Sequence, residues 1–473
     1  MSIVRQEVAD FIREEEIEAC LAHGAVGARD QARVREVLEK ARMSKGLSPW
    51  EAAILLNVED EAILEEIYHT AREVKERIYG NRIVLFAPLY VSNYCVNNCE
   101  YCGYKHSNSD LLRRRLNRDE LIREVEVLQK LGHKRLALEA GEDPVNCSID
   151  YILECMETIY SVKVDNGSIR RINVNIAATT EGNYRKLAEV GIGTYILFQE
   201  TYHRPTYREL HGQGPKRDYD WHTTAMDRAM RAGIDDVGVG VLYGLYEPKY
   251  ETVAMLLHAE HLEETFGCGP HTVSVPRLRA AEGVDLHRFP YLVSDRDFKK
   301  IVAVIRLAVP YAGMILSTRE DEGFRDEVIK LGISQISTGS RTGVGAYISS
   351  YEGEPTGETP QFEVGDHRSP LEMIKTLCRD GYVPSYCTAC YREGRTGDRF
   401  MRLAKSGQIH NVCHPNSLLT LQEYLLDYGD EEAREIGKSV IEQNLDRIPK
   451  AAARKATLDR LARVEAGERD LRF

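Results

Sequence analysis

Hydrophobic and polar positions follow three successive patterns along the chain. Up to about residue 80, charged and apolar residues recur at helical spacing. Within this stretch, Ser48 followed by Pro49 predicts the start of a helix, because serine caps helices and proline favours their first position. From residue 83 the pattern changes to short β-rich runs separated by amphipathic stretches, and the last hundred residues are again charged and helical.

Eight short β-rich runs predict strands, each followed by a helix or a helical candidate. The runs are 83–89, 135–140, 171–177, 194–199, 236–242, 271–275, 313–317 and 333–337. The stretch 118–131 illustrates the helices between them, with Asn117 as N-cap and Glu120 completing a capping box. This alternation predicts an α/β fold, a closed (β/α)8 TIM-type barrel, with a doubly wound open sheet as the alternative.

The same patterns predict three regions. Residues 1–80 form an N-terminal helical arm, residues 81–345 the barrel, and residues 346–473 a linker with a C-terminal helical domain. Residues 345–370 are rich in Gly, Ser, Pro and Glu and lack periodicity, which indicates a loop or linker.

Composition narrows the class of protein. With 43% apolar and 29% charged residues among 473, the chain is typical of a soluble globular protein. No stretch approaches the ~20 apolar residues that a membrane span needs, and the acidic, helical start has no secretory signal pattern. We therefore expect a cytoplasmic protein with no membrane contact. The net charge of −12 argues against nucleic acid as a partner.

Eleven cysteines in such a chain favour metal ligation over disulfides. Cys95, Cys99 and Cys102 form a C-x3-C-x2-C run directly after the first predicted strand, with Tyr101 before the last cysteine. Three thiolates hold three corners of an iron–sulfur cube and leave one iron open to bind another molecule. A zinc site is the alternative, since cysteines two or three residues apart also ligate zinc.

A second set of cysteines lies near the C-terminus. Cys387, Cys390 and Cys413 have the spacing C-x2-C-x22-C. On spacing alone, an iron–sulfur cluster and a zinc site with His414 as fourth ligand fit equally well.

Polar groups follow several predicted strands, where active sites of barrels gather. Arg319 is a candidate clamp for a substrate carboxylate, and a salt bridge with Glu320 is the alternative. A glycine allows close backbone approach and a glutamate can pair with an ammonium group. The candidates after strands two, four, five and eight are Gly141, Glu142, Glu200, Leu242 and Ser337.

Three of these motifs together resemble the radical S-adenosylmethionine superfamily: the cysteine loop, the Gly141-Glu142 pair, and residues 240–247, similar to G-x-I-x-G-x-x-E. In that superfamily, S-adenosylmethionine chelates the open iron, and one electron cleaves it to a 5′-deoxyadenosyl radical. The resemblance implies that Glu142 holds the methionine amino group. It also implies Glu200 at the ribose hydroxyls, Arg217 at the methionine carboxylate, and Leu242 at the adenine.

With residues 271–278, 317–320, 337–342 and 387–397 added, nearly the whole chain resembles the HydG family of tyrosine lyases, which mature FeFe-hydrogenase. The barrel alone also resembles the tyrosine lyase of thiazole biosynthesis and, more distantly, biotin synthase. The C-terminal cysteine set favours the first family, because the thiazole lyase lacks a second cluster.

The resemblance implies two 4Fe-4S clusters, S-adenosyl-L-methionine, and an additional labile iron linked through free L-cysteine. L-tyrosine, held by Arg319 with Ser337 nearby, would lose hydrogen from its amino group and break at Cα–Cβ to p-cresol and dehydroglycine. Dehydroglycine would yield carbon monoxide and cyanide, assembled on the auxiliary cluster. An external electron donor and other hydrogenase maturation proteins are the implied partners.

His271 opens the sixth predicted strand and so should lie at the opposite end of the barrel from the first cysteine loop. The resemblance suggests it as a ligand of the labile iron. A hydrogen-bonded core histidine is the alternative, and His258 and His261 are the fallback ligands. The competing functions are another amino-acid lyase whose second cluster transfers electrons, and a zinc-bound scaffold or nucleic-acid-binding module.

Overall fold

The computed structural model describes residues 7–353 and 360–473. Its first elements are four helices that precede the barrel. Ser48 caps the third helix in a capping box with Glu51, and Pro49 is its first residue, as the sequence predicts. The four helices are α1 Glu14–Gly27, α2 Gln31–Arg42, α3 Pro49–Leu56 and α4 Glu61–Tyr79.

Eight parallel strands form the centre of the molecule. They run in chain order around the sheet, and the last strand pairs in parallel with the first. The closed barrel predicted from the sequence is therefore confirmed, and the open-sheet alternative is wrong. The strands are β1 Arg82–Ser92, β2 Arg135–Ala140, β3 Arg171–Asn175, β4 Tyr195–Ile196, β5 Val237–Gly240, β6 Thr272–Ser274, β7 Gly313–Leu316 and β8 Gln335–Ser337.

Helices between and after the strands cover the outside of the barrel. The first of them has the predicted capping box of Asn117 and Glu120. They are α5 Arg118–Lys130, α6 Ile149–Ser161, α7 Glu181–Val190, α8 Arg204–Leu210, α9 Tyr219–Thr223, α10 Ala225–Arg231, α11 Pro248–Phe266, α12 Asp295–Ala308, α13 Glu322–Ile329 and α14 Ala346–Glu352. A short hairpin, Lys163–Val164 with Gly167–Ser168, and 3-10 turns at Pro215–Arg217 and Leu286–Arg288 complete this layer.

The C-terminal region closes the N-terminal end of the barrel. A ninth strand, β9 Val383–Ser385, pairs in parallel with the first three residues of β1. The surrounding helices are α15 Pro370–Arg379, α16 Ala389–Arg392, α17 Gly397–Lys405, α18 Cys413–Tyr428, α19 Glu431–Leu445 and α20 Ala451–Glu465, with a 3-10 turn at Gln408–Asn411. β9 was not predicted, because three residues are too few to show a strand period.

The linker predicted at 345–370 is wrong for 346–352, which form α14. Residues 354–359 of that prediction lie outside the described residues. The division into three regions stays a prediction.

Register in the barrel decides which side chains share a level. Pairing along β1, β2 and β3 places Tyr90 beside Glu139 and Glu139 beside Asn175, near the C-terminal ends of these strands. Two residues lower, Ala137 belongs to a small apolar cluster with Phe86 and others inside the barrel. Side chains facing the barrel interior are therefore polar near the top and apolar below it.

Within the described ranges, no helix is both long enough and apolar enough to cross a membrane.

Two candidate cysteine sites at opposite ends of the barrel

A cavity, here called the upper cavity, opens at the C-terminal ends of the barrel strands. The first cysteine loop and the ends of several strands line it. It brings together most of the side chains that the sequence singled out, together with others that it did not. The lining includes Cys95, Cys99, Tyr101, Cys102, Glu139, Gly141, Glu142, Asn175, Glu200, Lys216, Leu242, Arg319, Ser337 and Ser340.

Backbone hydrogen bonds fix the cysteine loop over the cavity. The amide of Val96 donates to the carbonyl of Glu142 at 2.8 Å, and the amide of Glu100 donates to the carbonyl of Leu210 at 3.1 Å. Gly141 allows this packing, because a Cβ there would meet the carbonyl oxygen of Tyr94 at 2.4 Å. The glycine of the Gly-Glu motif is thus required for the loop to lie against the second strand.

The donor set in the upper cavity fits an iron–sulfur cube with one open corner. All three thiols face the same space, and burial raises the pKa of Cys99 and raises that of Cys102 to about 11. Such thiols become thiolates when a metal binds them. Among the described residues that line the cavity there is no fourth cysteine and no histidine. A closed zinc site, which takes four protein ligands, therefore lacks its fourth ligand.

Glu142 and Glu200 face the cavity and are each held by a neighbour. Asn97 donates to Glu142 at 2.5 Å, and Lys216 forms an ion pair with Glu200 at 2.7 Å. Glu200 has a φ of 69°, a left-handed conformation that residues other than glycine adopt rarely and that recurs at functional sites.

Arg217 does not lie where the resemblance implied. It is exposed and outside the upper cavity, whereas the preceding residue, Lys216, lines it. The 3-10 turn Pro215–Arg217 directs Lys216 inward, where its backbone amide donates to Asn97 Oδ1 at 3.0 Å. The expectation for Arg217 is therefore corrected to Lys216.

Arg319 lies at the cavity without a carboxylate partner. Its sequence neighbour Glu320 instead accepts hydrogen bonds from Arg277 and from Arg279, the latter at 2.6 Å, so the alternative of an Arg319–Glu320 salt bridge is wrong. The guanidinium lies 3.4 Å from the centre of the Phe362 ring, and no ion pair forms between Arg319 and another described residue. Burial lowers its pKa, but arginine keeps its charge at neutral pH.

Ser337 and Ser340 both line the cavity but differ in their hydrogen bonds. The hydroxyl of Ser337 accepts from the amide of Thr318 at 3.2 Å. The hydroxyl of Ser340 is buried and has no hydrogen-bond partner among the described residues. The free hydroxyl is therefore that of Ser340, which sequence reasoning noted only as part of a segment.

A second cavity, here called the lower cavity, lies at the N-terminal ends of the strands, beneath the C-terminal helices. It brings together the predicted second set of cysteines and the predicted histidine. Cys390 and Cys413 lie with their sulfurs 3.7 Å apart, and a hydrogen bond from Cys413 lowers the pKa of Cys390 to about 6. The lining includes Arg82, Arg135, His271, Gln335, Cys387, Cys390, Tyr391, Phe400 and Cys413.

His271 is held at both ring nitrogens. Nε2 lies 2.6 Å from the hydroxyl of Tyr391, and Nδ1 lies 3.4 Å from the carboxylate of Asp236. Burial lowers the pKa of His271, which keeps the imidazole neutral, the form that binds metals. A carboxylate at the far nitrogen of a histidine is also the usual support of a metal ligand.

The other candidate histidines lie elsewhere. His258 contacts the hydroxyl of Tyr202 at 2.8 Å and His261 contacts Asp227 at 2.7 Å, both away from the lower cavity. His414 Nε2 lies 3.0 Å from a backbone carbonyl and does not line the cavity. The fallback ligands and a Cys3His zinc site therefore receive no support from the geometry.

A thin layer of side chains separates the two cavities. Gln335 lines the lower cavity and Ser337, two residues later on β8, lines the upper one. On β2, Arg135 faces the lower cavity and Glu139 the upper one, about 13 Å apart at the usual rise per residue. The inward position between them is Ala137, whose small side chain leaves room inside the barrel.

Family models match two consecutive parts of the chain. Residues 89–259 match the radical SAM superfamily, and residues 274–383 match the biotin and thiamin synthesis associated domain. The 2-iminoacetate synthase of Salmonella typhimurium is 32% identical over 352 residues, which cover 73% of this chain and 89% of that protein. The radical SAM enzyme class, predicted from the cysteine loop, is confirmed.

Two solved structures match nearly the whole chain. A crystal structure of HydG, a maturase of the [FeFe]-hydrogenase, is 64% identical, with a TM-score of 0.94 over 98% of this chain and 100% of that one. HydG from Carboxydothermus hydrogenoformans is 39% identical, with a TM-score of 0.82 over 96% of this chain and 99% of that one. These matches include the C-terminal helices with the second set of cysteines. The chain belongs to the HydG family of [FeFe]-hydrogenase maturases, within the radical SAM superfamily.

Proposed function

We propose that the enzyme cleaves L-tyrosine at Cα–Cβ to p-cresol and dehydroglycine, and that dehydroglycine then yields carbon monoxide and cyanide for hydrogenase maturation. The observation that carries this proposal is the presence of two cysteine sets on two cavities of one barrel, separated by a thin layer of side chains. One cavity offers a place for radical chemistry, and the other offers metal ligands within reach of small products.

The upper cavity supplies the ligands for a 4Fe-4S cluster and S-adenosyl-L-methionine. Cys95, Cys99 and Cys102 would hold the cluster, which supplies one-electron reductive cleavage of the sulfonium to a carbon radical when both are bound. Glu142 offers a carboxylate to the methionine amino group and Glu200 offers one to the ribose hydroxyls. Further binding groups are the Lys216 ammonium for the methionine carboxylate and the Leu242 side chain for the adenine.

Arg319 would bind the carboxylate of the substrate. Its unpaired guanidinium presents the planar fork that matches a carboxylate, and stacking on Phe362 fixes the plane of that fork. Ser337 and the free hydroxyl of Ser340 lie in the same cavity. The apolar layer of Phe86, Ala137, Ile196 and Ile315 beneath it suits an aromatic side chain.

A named relative supports this reaction type. The product in the name of the Salmonella relative, 2-iminoacetate, is the anion of dehydroglycine. This likeness covers the barrel, so it equally favours the second candidate function, a tyrosine lyase of thiazole biosynthesis. The C-terminal cysteine set, present in this chain and placed on its own cavity, favours the maturase function.

The lower cavity would hold the second 4Fe-4S cluster on Cys387, Cys390 and Cys413. His271 would bind the additional labile iron, linked through free L-cysteine, once Tyr391 moves from its Nε2 atom. Burial and the neighbouring arginines suit this site, because thiolates and cyanide are anions. An external electron donor and the other hydrogenase maturation proteins complete the proposed set of partners.

An anaerobic assay with L-tyrosine, S-adenosylmethionine and a reductant tests the proposal. We expect p-cresol, carbon monoxide and cyanide to appear together in the reconstituted enzyme. p-Cresol without the two diatomic products would contradict the maturase function and support the thiazole-type lyase. Absence of p-cresol would contradict both.

A further inference from the structure

Glu139 lies in the upper cavity, yet neither the sequence motifs nor the proposed function gives it a role. It is the fifth residue of β2, in a strand otherwise made of apolar residues after Arg135. Its carboxyl group accepts a hydrogen bond from Asn175, and it forms no ion pair with any residue in the described part of the chain. A strand position facing the barrel interior is an unusual place for a lone carboxylate.

Two ionisable groups of opposite sign therefore face the same cavity without pairing to each other. Arg319 lies after β7 and Glu139 lies on β2, and each affects the other electrostatically. Removing such groups from water costs several kcal/mol per ion unless a partner compensates them. A molecule that carries a carboxylate next to an ammonium group would compensate both.

We propose that Glu139 binds the α-amino group of the substrate whose carboxylate Arg319 holds, and takes up the proton of its ammonium form. This inference rests on the proposed function and adds to it a residue for the amino end of the amino acid. The N–H bond of the ammonium breaks with its electron pair left on nitrogen, and an O–H bond forms on Glu139. A cation and an anion become two neutral groups, and no electron is gained or lost.

The proton transfer prepares the amino group for loss of a hydrogen atom. A neutral amine can lose one without leaving a charged radical in a buried site, whereas an ammonium group cannot. Burial raises the pKa of Glu139 to about 8, close to that of an ordinary α-amino group, about 8. A proton moves readily between groups whose pKa values match.

The other groups that face Glu139 leave it as the acceptor. Arg319 lowers the pKa of Glu139 without cancelling the effect of burial. Tyr90, opposite Glu139 on β1, has a pKa raised well above its usual value by burial and by Glu139, so its phenol stays neutral. Asn175, beside Glu139 on β3, has no proton to exchange.

The test compares Glu139→Gln with Glu157→Gln, an exposed carboxylate on the helix that follows the same strand. Both variants are made in the full chain with reconstituted clusters. Isothermal titration with L-tyrosine in buffers of different ionisation enthalpy counts the protons released on binding. At neutral pH, Glu139 of the free enzyme carries a proton, so wild type and Glu157→Gln should each release about one proton as the zwitterion binds. Glu139→Gln should release none.

A probe without an amino group separates proton uptake from general damage. 3-(4-Hydroxyphenyl)propanoate should bind wild type and Glu139→Gln with equal affinity. The cleavage of S-adenosylmethionine in the absence of tyrosine should also be unchanged. p-Cresol formation by Glu139→Gln should fall by about a hundredfold. For wild type, kcat/KM should rise with pH and level off above about 8, and this dependence should disappear in the variant.

The inference would be overturned if Glu139→Gln released the same number of protons as wild type, or formed p-cresol at the wild-type rate with the same pH profile. Weaker binding of the deamino probe by the variant would also overturn it, because Glu139 would then shape the cavity and not contact the amino group. If wild-type enzyme forms no p-cresol, the proposed function itself fails, which is a separate result.

Discussion

The two cysteine sets of this protein are built in different ways. Cys95, Cys99 and Cys102 lie within eight residues of one loop, fixed by backbone hydrogen bonds to the ends of neighbouring strands. Cys387 and Cys390 flank the start of a short helix after β9, Cys413 begins α18, and His271 comes from the barrel itself. The upper site is thus a local structure, whereas the lower site exists only where the C-terminal helices pack on the barrel.

The charges around the two sites differ as well. Three glutamates, Glu139, Glu142 and Glu200, line the upper cavity, and they suit ammonium and hydroxyl groups of ligands. Arg82 and Arg135 line the lower cavity, and they suit thiolates and small anions. The difference teaches that one barrel can offer opposite electrostatic environments at its two ends, with a thin apolar layer between them.

The largest expected effect comes from removing a ligand of the upper site. Cys99→Ala should abolish cleavage of S-adenosylmethionine, and with it p-cresol, carbon monoxide and cyanide, because every later step depends on the upper cluster. Anaerobic product analysis checks this. Cys155→Ala, a buried thiol of α6 away from both cavities, is the matched control and should retain all products. Any diatomic product from Cys99→Ala would show that the lower site works alone.

Removing a ligand of the lower site should separate the two reactions. Cys413→Ala should form p-cresol within about twofold of wild type, since effects at distant, independent sites rarely interact, while carbon monoxide and cyanide fall below detection. Iron analysis should show the loss of the second cluster. Equal loss of p-cresol and the diatomic products would contradict the separation of the two cavities.

Sequence reasoning succeeded where a pattern is local. Each barrel strand is a short apolar run between helical stretches, so the fold could be predicted, and the spacing of Cys95 to Cys102 pointed to a cube with an open corner. The same holds for capping boxes such as that of Asn117. These signals require no knowledge of how distant segments pack.

Other parts of the sites depend on orientation that spacing does not encode. Lys216 and Arg217 are adjacent cations, and only the 3-10 turn decides which of them faces the cavity. Glu139 did leave a signal, a carboxylate inside an otherwise apolar strand, but the nearby Gly-Glu motif drew the attention. β9 is too short for a pattern, and its pairing with β1 depends on contacts between residues about 300 positions apart.

The dependence of the lower site on packing gives a third prediction. Glu423 of α18 forms ion pairs with Lys134, at 3.0 Å, and with Arg170, at 2.5 Å, all three buried at the bottom of the barrel. Glu423→Gln leaves two buried cations without their partner, which should lower the free energy of unfolding by about 3–5 kcal/mol. Chemical denaturation checks this, and Glu431→Gln, an exposed carboxylate on the next helix, is the control.

The same ion pairs predict a pH dependence of stability. Burial acts to raise the pKa of Glu423, but Arg170 and Lys134 outweigh it and lower the pKa to about 2. An unfolded glutamate titrates near 4.3, so the stabilisation is complete above that pH and is lost as the pH falls toward 2. Wild type should therefore lose more stability than Glu423→Gln on acidification. Parallel acid dependence in the two proteins would contradict this role of Glu423.

The smallest effect should come from a conservative change in the upper cavity. Arg319→Lys keeps the positive charge but loses the planar fork, and a hydrogen bond to a charged group contributes about 1.5–3 kcal/mol, so KM for tyrosine should rise about tenfold to a hundredfold. Arg279→Lys is the matched control, because Arg279 lies at the same mouth but binds Glu320. The variant should keep the ratio of carbon monoxide to p-cresol, since the lower site is untouched. A changed ratio would mean that Arg319 also acts on the products, and the two cavities would then have to be treated as one site.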